Sequence, residues 1–474
     1  MRRRKTIRST NPGTSPEPAG LSVPRGTMDS GAGGKAFAVL ATAQFLVVLN
    51  TSIVNVALPS IRTGLDLTPT GMSWVVNGYG LAFGALLLAG GQLTDALGAR
   101  RILLAGLATF TAGSLAAGFA GDATILITAR AVQGSGAALL APAALALILR
   151  HHPAKLGVWG GVSGAGGAAG VLLGGVLTGT LGWPAIFLVT VPVAVAAIIA
   201  TRRLVPRDTP TRSNTPTASD TLTASDTPIR SHTATVGDTA TPSDTRTGGR
   251  LGLTGAVTAT GGLVALTYGL TAPQPVLPIA TGAALLTIFV ITQRRSTLMR
   301  TLTTTGRANT AMAALGAVWV GLFYFLPLYQ QQILGYSPLI AGLAQLPLAG
   351  AVVLGSTFAP RLPRRALPVA LLALAAGLAW FATGPAFPFD VLGPSLLTGA
   401  GLGVAFVHLT VDATRVPAGD AGVAGGIVNT SRQVGGAIGL AALVATTTGF
   451  AAAFAATAVL AVVTAVMTLQ GAQR

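Results

Sequence analysis

Long apolar runs follow one another along almost the whole chain, separated by short polar turns. A helix needs about 20 predominantly apolar residues to cross the hydrocarbon of a bilayer, so each run is a candidate span. The pattern predicts helices at 36–58, 71–93, 101–120, 123–149, 155–179 and 183–203. After a polar break it resumes at 251–270, 275–293, 306–329, 338–359, 366–383, 389–411, 420–446 and 449–469. The fold class expected is an all-α polytopic membrane protein with 14 transmembrane helices. Between the second and third runs lies the most polar of the short turns, Gly90 to Arg101, which combines glycine, a carboxylate and a basic pair.

Two stretches lack the pattern. Residues 204–250 repeat Thr, Ser, Asp and Pro in imperfect copies of Thr-Ala-Ser-Asp-Thr. They carry too little apolar surface to offset the entropy of ordering, so a disordered linker is expected. Residues 1–35 are basic, then rich in Pro, Ser and Gly. Without an apolar run they read as a disordered tail rather than a cleaved signal peptide, with Met28 as an alternative start.

Charge fixes the expected orientation. With the N-terminus in the cytoplasm, all but Arg62, Arg130 and Arg432 of the 30 Lys and Arg fall in segments on the inner side: the tail, the linker with the helix end before it, the inward turns and the C-terminus. Positive residues concentrate on the cytoplasmic side of membrane proteins, so both termini are placed there, in the cell membrane. The chain is 51% apolar and 9% charged, with 62 glycines. A soluble domain has about a quarter of its residues charged. The net charge of +17 would attract nucleic acid, but its alternation along the chain is an insertion signal and no nucleic-acid partner is expected. Absence of cysteine excludes disulfides and thiolate metal sites. Four scattered histidines, including the loop pair His151 and His152, do not build a tetrahedral site, so no metal or other cofactor is expected. The glycine runs sit inside spans rather than after strands, which disfavours a phosphate-binding loop and an ATP-driven pump. No enzyme constellation is present.

The turn between the second and third runs resembles the signature loop of the major facilitator superfamily, through Gly91, Leu93, Asp95, Gly98, Arg100 and Arg101. Leu49 to Pro59 is similar to the first-helix motif of that superfamily's drug:proton antiporters, except that Asn50 stands in place of the family's aspartate. Arg130-Ala131-Val132-Gln133-Gly134-Ser135-Gly136 resembles its fourth-helix element. The glycine-rich fifth helix is similar to the antiporter motif, with Val171 where the family has proline. Residues Leu326 to Gly342 and Ala421 to Gly439 are close to the fourteen-helix branch. The resemblance implies a bundle at 36–203, two extra helices at 251–293 and a second bundle at 306–474, each bundle having six helices. It also implies export of an amphipathic organic compound such as an antibiotic, in exchange for protons.

Polar residues inside the spans are the candidate site. At 1.5 Å per residue, Asn50 and Arg130 come out at roughly the same depth, and Asn77, Gln345 and Arg432 share that level. With Gln133 one turn from Arg130, these side chains would line a hydrated cavity drawn from both halves. Arg130 either faces the substrate path or is tied to helix-end carbonyls. Asp95 is expected to act as a conformational latch at the inner start of the thirteenth helix, near Gly419 to Gly422, where a helix dipole would favour its charge. Gly91 and Gly98 would shape that turn, and Arg100 and Arg101 would either hold the membrane surface or simply fix topology. Gly166, Gly170 and Gly174, four residues apart, are expected to allow close packing of the fifth helix, which should be straighter for want of its proline.

Proton exchange lacks an obvious carrier. An amide at position 50 cannot take up a proton near neutral pH. Asp390, near the outer mouth, is the best-placed of the 13 acidic residues. His408 titrates in the right range but sits near the cytoplasmic rim. Arginines and amides without a central carboxylate favour neutral or anionic cargo over multivalent cations. The partners expected are therefore a small-molecule substrate, the lipid bilayer and protons. The missing carboxylate also permits an importer or uniporter, and a transport-dead sensor acting through the linker is a further alternative.

Overall fold

The computed structural model describes residues 30–152, 155–205, 248–294, 296–384, 388–416 and 421–472, which form 17 α-helices in sequence and, among those residues, no strand. The expected tail and linker lie almost entirely outside these residues. The first group is α1 (Ser30–Leu65), α2 (Pro69–Leu97), α3 (Ala99–Gly118), α4 (Ala123–His151), α5 (Leu156–Leu181), α6 (Ala185–Leu188) and α7 (Thr190–Leu204). Next come α8 (Gly248–Thr271), α9 (Val276–Gln293) and α10 (Thr297–Thr304). The last group is α11 (Gly306–Gln332), α12 (Pro338–Ala344), α13 (Leu346–Phe358), α14 (Ala366–Ala382), α15 (Pro388–Ala413), α16 (Ala421–Thr446) and α17 (Phe450–Ala472).

Local chemistry sets the boundaries. Thr68 accepts from the Gly71 amide at 3.0 Å to start α2, and Asp122 accepts from Ile125 at 2.8 Å to start α4. Such caps satisfy amides that have no partner in the first turn. At the junction of α2 and α3 the chain turns on Gly98 with φ +96°, a conformation that any Cβ would strain. Inside the spans, many threonines donate back to the preceding turn, as Thr111 does to the Leu107 carbonyl at 2.7 Å, so those hydroxyls need no water. Two predicted helices are interrupted. The run 183–203 breaks at Val189, three residues before Pro192, and 338–359 breaks at Gln345, two before Pro347. Proline supplies no amide proton to the carbonyl four residues back, which frees one turn to bend. The pattern also missed α10, an eight-residue helix whose start is capped by Ser296 Oγ accepting from the Met299 amide at 3.3 Å.

Among the described residues 10 helical stretches are long and apolar enough to cross a membrane, and three shorter apolar ones, Ala165–Leu181, Val257–Thr271 and Ala366–Ala382, lie within α5, α8 and α14. The packing repeats. α1 packs on α5 as α11 packs on α16; α2 on α4 as α13 on α15; α3 on α4 as α14 on α15. Likewise α3 and α1 both meet α7, as α14 and α11 both meet α17. The chain thus builds one helical bundle twice. The halves meet along α2 and α16, along α5 against α12 and α13, and between α1 and α11.

The extra pair stands at one seam. α8 packs against both α2 and α16, with Leu263 among Leu81, Ala85 and Ala437, and Trp74 donating to Thr271 at 3.4 Å. α9 lies outside it, held close because Gly282 and Gly262 leave no side chain between the backbones.

Candidate functional site

Arg130, on α4, is the largest fully buried side chain among the described residues, at 2% exposure. A guanidinium in a low-dielectric interior is costly without partners, and guanidinium groups can only donate. Its Nε donates to the Val75 carbonyl of α2 at 3.1 Å and its Nη1 to Gln133 Oε1 at 2.5 Å. The same Nη1 donates to Oδ1 of Asn50 on α1. The network continues outward. Gln133 Nε2 donates to Ser114 Oγ of α3 at 2.7 Å, and the Thr190 hydroxyl of α7 donates to Ser114 at 3.1 Å. The Tyr79 ring lies 4.4 Å from the guanidinium and the Phe187 ring 5.9 Å from it, so aromatic faces take up part of the charge.

All of these partners are neutral. Among the described side chains no aspartate or glutamate is buried. Asn50 offers the geometry a carboxylate would offer, but not its charge. The second arginine, Arg432 of α16, donates to Asn429 at 2.9 Å and lies over the Trp319 and Phe406 rings at 5.8 and 6.0 Å. A buried Arg130 and a half-buried Arg432 therefore stand in opposite halves with no buried anion among the described side chains.

A small cavity lies between the halves, lined by Thr51, Asn55, Val76, Asn77, Tyr79, Gly80 and Arg130 from the first and by Val320, Gln433 and Ala437 from the second. Of the residues singled out in the sequence, the structure brings Asn50, Arg130 and Gln133 into direct contact and puts Asn77 on the same cavity wall. It does not bring Gln345 to them. That side chain is buried at the break between α12 and α13, where it faces Gln330 at 3.4 Å. Tyr79, Ser114, Thr190, Gln330 and Gln433 carry contacts that the pattern did not reveal. Gln330 and Gln433 had a signal, since they stand in the Leu326 to Gly342 and Ala421 to Gly439 motifs.

The polar turn has a divided role. A Cβ on Gly90 would meet the Ala138 carbonyl at 2.1 Å, whereas one on Gly91 would meet nothing within 4 Å, so the close approach to α4 belongs to Gly90. Asp95 is exposed at the end of α2. Gly419 and Asp420, in its expected docking place, lie outside the described residues. Arg100 donates to the Arg202 carbonyl of α7 at 2.7 Å, and Arg101 is exposed. The corresponding turn of the second half has no acid of its own, yet Arg364 pairs there with Asp412 of α15.

The fifth-helix glycines lie against α1. Cβ atoms on Gly166, Gly170 and Gly174 would meet the carbonyls of Phe45, Leu49 and Ile53 at 3.1, 2.7 and 2.7 Å. The α5 helix runs unbroken with no internal proline. Of the titratable candidates, the Asp390 side chain lies outside the described residues. His408 is buried on α15 with its Nε2 unpartnered.

Two helical bundles of matching packing, with a polar site held in the membrane between them, define a secondary transporter. The chain belongs to the Major Facilitator Superfamily, whose family model matches residues 40–440. It is 37% identical over 439 residues to the puromycin resistance protein of Streptomyces alboniger, covering 88% of this chain and 82% of that one. It is 36% identical over 445 residues to the cephamycin export protein of Amycolatopsis lactamdurans, covering 87% and 84%. In fold it is similar to an auto-inhibited peptide transporter of the POT family, with a TM-score of 0.67 at 15% identity, covering 93% of this chain and 97% of that one. The protein is a multi-pass membrane transporter and not an enzyme.

Proposed function

We propose that the protein exports a small amphipathic organic compound, an antibiotic or a related drug, by alternating access around the Arg130 site. The observation that carries this is the repeated packing of the two halves about a cavity into which both contribute residues. Two such bodies rocking about a shared site expose it to one side of the membrane and then the other. Relatives named for resistance to or export of antibiotics support the outward direction.

In the bilayer the chain crosses 14 times, with both termini and the Lys- and Arg-rich turns in the cytoplasm. The domains are the tail 1–35, the first bundle 36–203, the linker 204–250, the extra pair 251–293 and the second bundle 306–474. Asp95 latches the cytoplasmic side to the start of α16 while the site faces outward. Export is driven by exchange for protons through a group other than Asn50, since an amide does not titrate in this range.

Everted vesicles test this directly. Puromycin and cephamycin, after which two relatives are named, are the first cargoes to try. Vesicles carrying the chain should accumulate one or more of a panel of such compounds on energisation, with and without a pH gradient separating the modes of coupling. No accumulation above vesicles lacking the chain, for any of the panel, would remove the exporter.

A further inference from the structure

Asn77 is 1% exposed, and neither its Oδ1 nor its Nδ2 has a hydrogen-bond partner in the protein. It lines the central cavity beside Arg130, Thr51 and Asn55. Buried amides in folded proteins are almost always paired, so an amide with both ends open and aimed into a cavity is arranged for something that enters it. Arg130 has a matching gap. Its Nε and Nη1 are engaged by Val75, Asn50 and Gln133, and its Nη2 has no protein partner. The guanidinium charge is likewise unanswered, because the first-helix position facing it is an amide and no carboxylate is buried among the described side chains. Arg432 adds a second positive charge from the other half. In a medium of low dielectric this field favours an anion and penalises a cation.

We propose that the cavity binds an amphipathic organic anion. Its carboxylate, or an equivalent oxyanion, fills the cavity of about 30 Å³ and accepts hydrogen bonds from Arg130 Nη2 and Asn77 Nδ2, and its apolar body extends along Val320 and Ala437 into the space that opens as the two halves part. Asn77 Oδ1 remains to accept a donor of the cargo and so discriminates among anions. This rests on the exporter function proposed above and adds the charge and the anchoring group of its cargo.

Three dansyl probes of similar length test it: dansyl-aminohexanoate, its methyl ester, and dansylcadaverine, which carries an amine. Binding is measured by fluorescence to the full chain in phosphatidylcholine nanodiscs. The carboxylate should bind at least about tenfold tighter than the amine, since charge-assisted hydrogen bonds are worth roughly a factor of ten or more. Asn77→Ala should weaken the carboxylate about tenfold, with less effect on the ester and an unchanged melting temperature. Asn50→Asp, which supplies the missing anion at nearly constant shape, should abolish the preference for the carboxylate. The proposal is overturned if the carboxylate does not bind, if the amine binds as tightly, or if both variants keep the native affinity. Everted vesicles carrying the same probes separate the two levels. Export of ester or amine without carboxylate binding sinks the anion site alone, and carboxylate binding without export of any probe or any compound of the panel sinks the exporter.

Discussion

Position 50 shows what one atom can change. Where the resembling antiporters have a carboxylate oxygen, this chain has an amide nitrogen, and the Asn50 Nδ2 is buried without a partner. Its Oδ1 still accepts from Arg130, so the shape of the site survives while its charge balance does not. Restoring the carboxylate with Asn50→Asp should widen export toward cationic dyes, read as resistance and as vesicle uptake. Strong native resistance to dicationic dyes would contradict this account. Arg130→Gln would strip the Val75 carbonyl, Asn50 and Gln133 of their donor, costing about 1–3 kcal/mol for each buried group left unpaired. Export should fall by at least about tenfold, and Arg130→Lys should not restore it, because an ammonium cannot reach three acceptors in a fixed fork.

Glycine decides how closely the helices approach. A Cβ on Gly316 of α11 would meet the Arg432 carbonyl of α16 at 2.1 Å, as one on Gly170 would crowd the Leu49 carbonyl of α1 at 2.7 Å. Both sit at equivalent contacts of the two bundles, so any side chain there forces the backbones apart. Overpacking of this kind costs about 1–3 kcal/mol. The neighbours Gly90 and Gly91 give a sharper comparison. Gly90→Ala should lower the melting temperature and folded yield in detergent, and Gly91→Ala should leave both unchanged; equal effects would mean that α2 and α4 are not packed as described. The sequence put Gly91 in the signature turn, but only the packing revealed that Gly90 makes the contact. At the end of the same helix, Asp95→Asn should slow transport while leaving the melting temperature intact, and an unaltered rate would discard the latch.

At the scale of the whole molecule, the seam formed by α2 and α16 is braced by α8, which touches both halves. Rocking must therefore slide or carry α8 with it. The linker before α8 is not needed for that motion, so deleting 207–247 should leave export within about twofold of native, measured in everted vesicles; complete loss would favour a sensor working through the linker. An anionic cargo also couples export to voltage. Moving one charge through 100 mV is worth about 2.3 kcal/mol, so an interior-negative potential alone could sustain roughly a 50-fold outward gradient of a monoanion. In proteoliposomes held at a fixed pH gradient, export of the carboxylate probe should rise with a potassium diffusion potential of that sign.

The order of helices, their all-α class and the positions of Arg130 and Asn50 were legible in the sequence, because a bilayer demands continuous apolar runs and tolerates polar interruptions only at sites of use. The breaks at Val189 and Gln345 were not, since apolarity alone does not say where a helix bends. Depth arithmetic put Gln345 in one layer with Asn50, but it fixes only one coordinate. Rotation about each helix axis turned Gln345 toward Gln330 and Tyr79 toward Arg130. Side-chain hydrogen bonds reach only about 3 Å, so which polar groups meet across helices depended on packing between segments far apart in the chain, and only the tertiary structure could decide it.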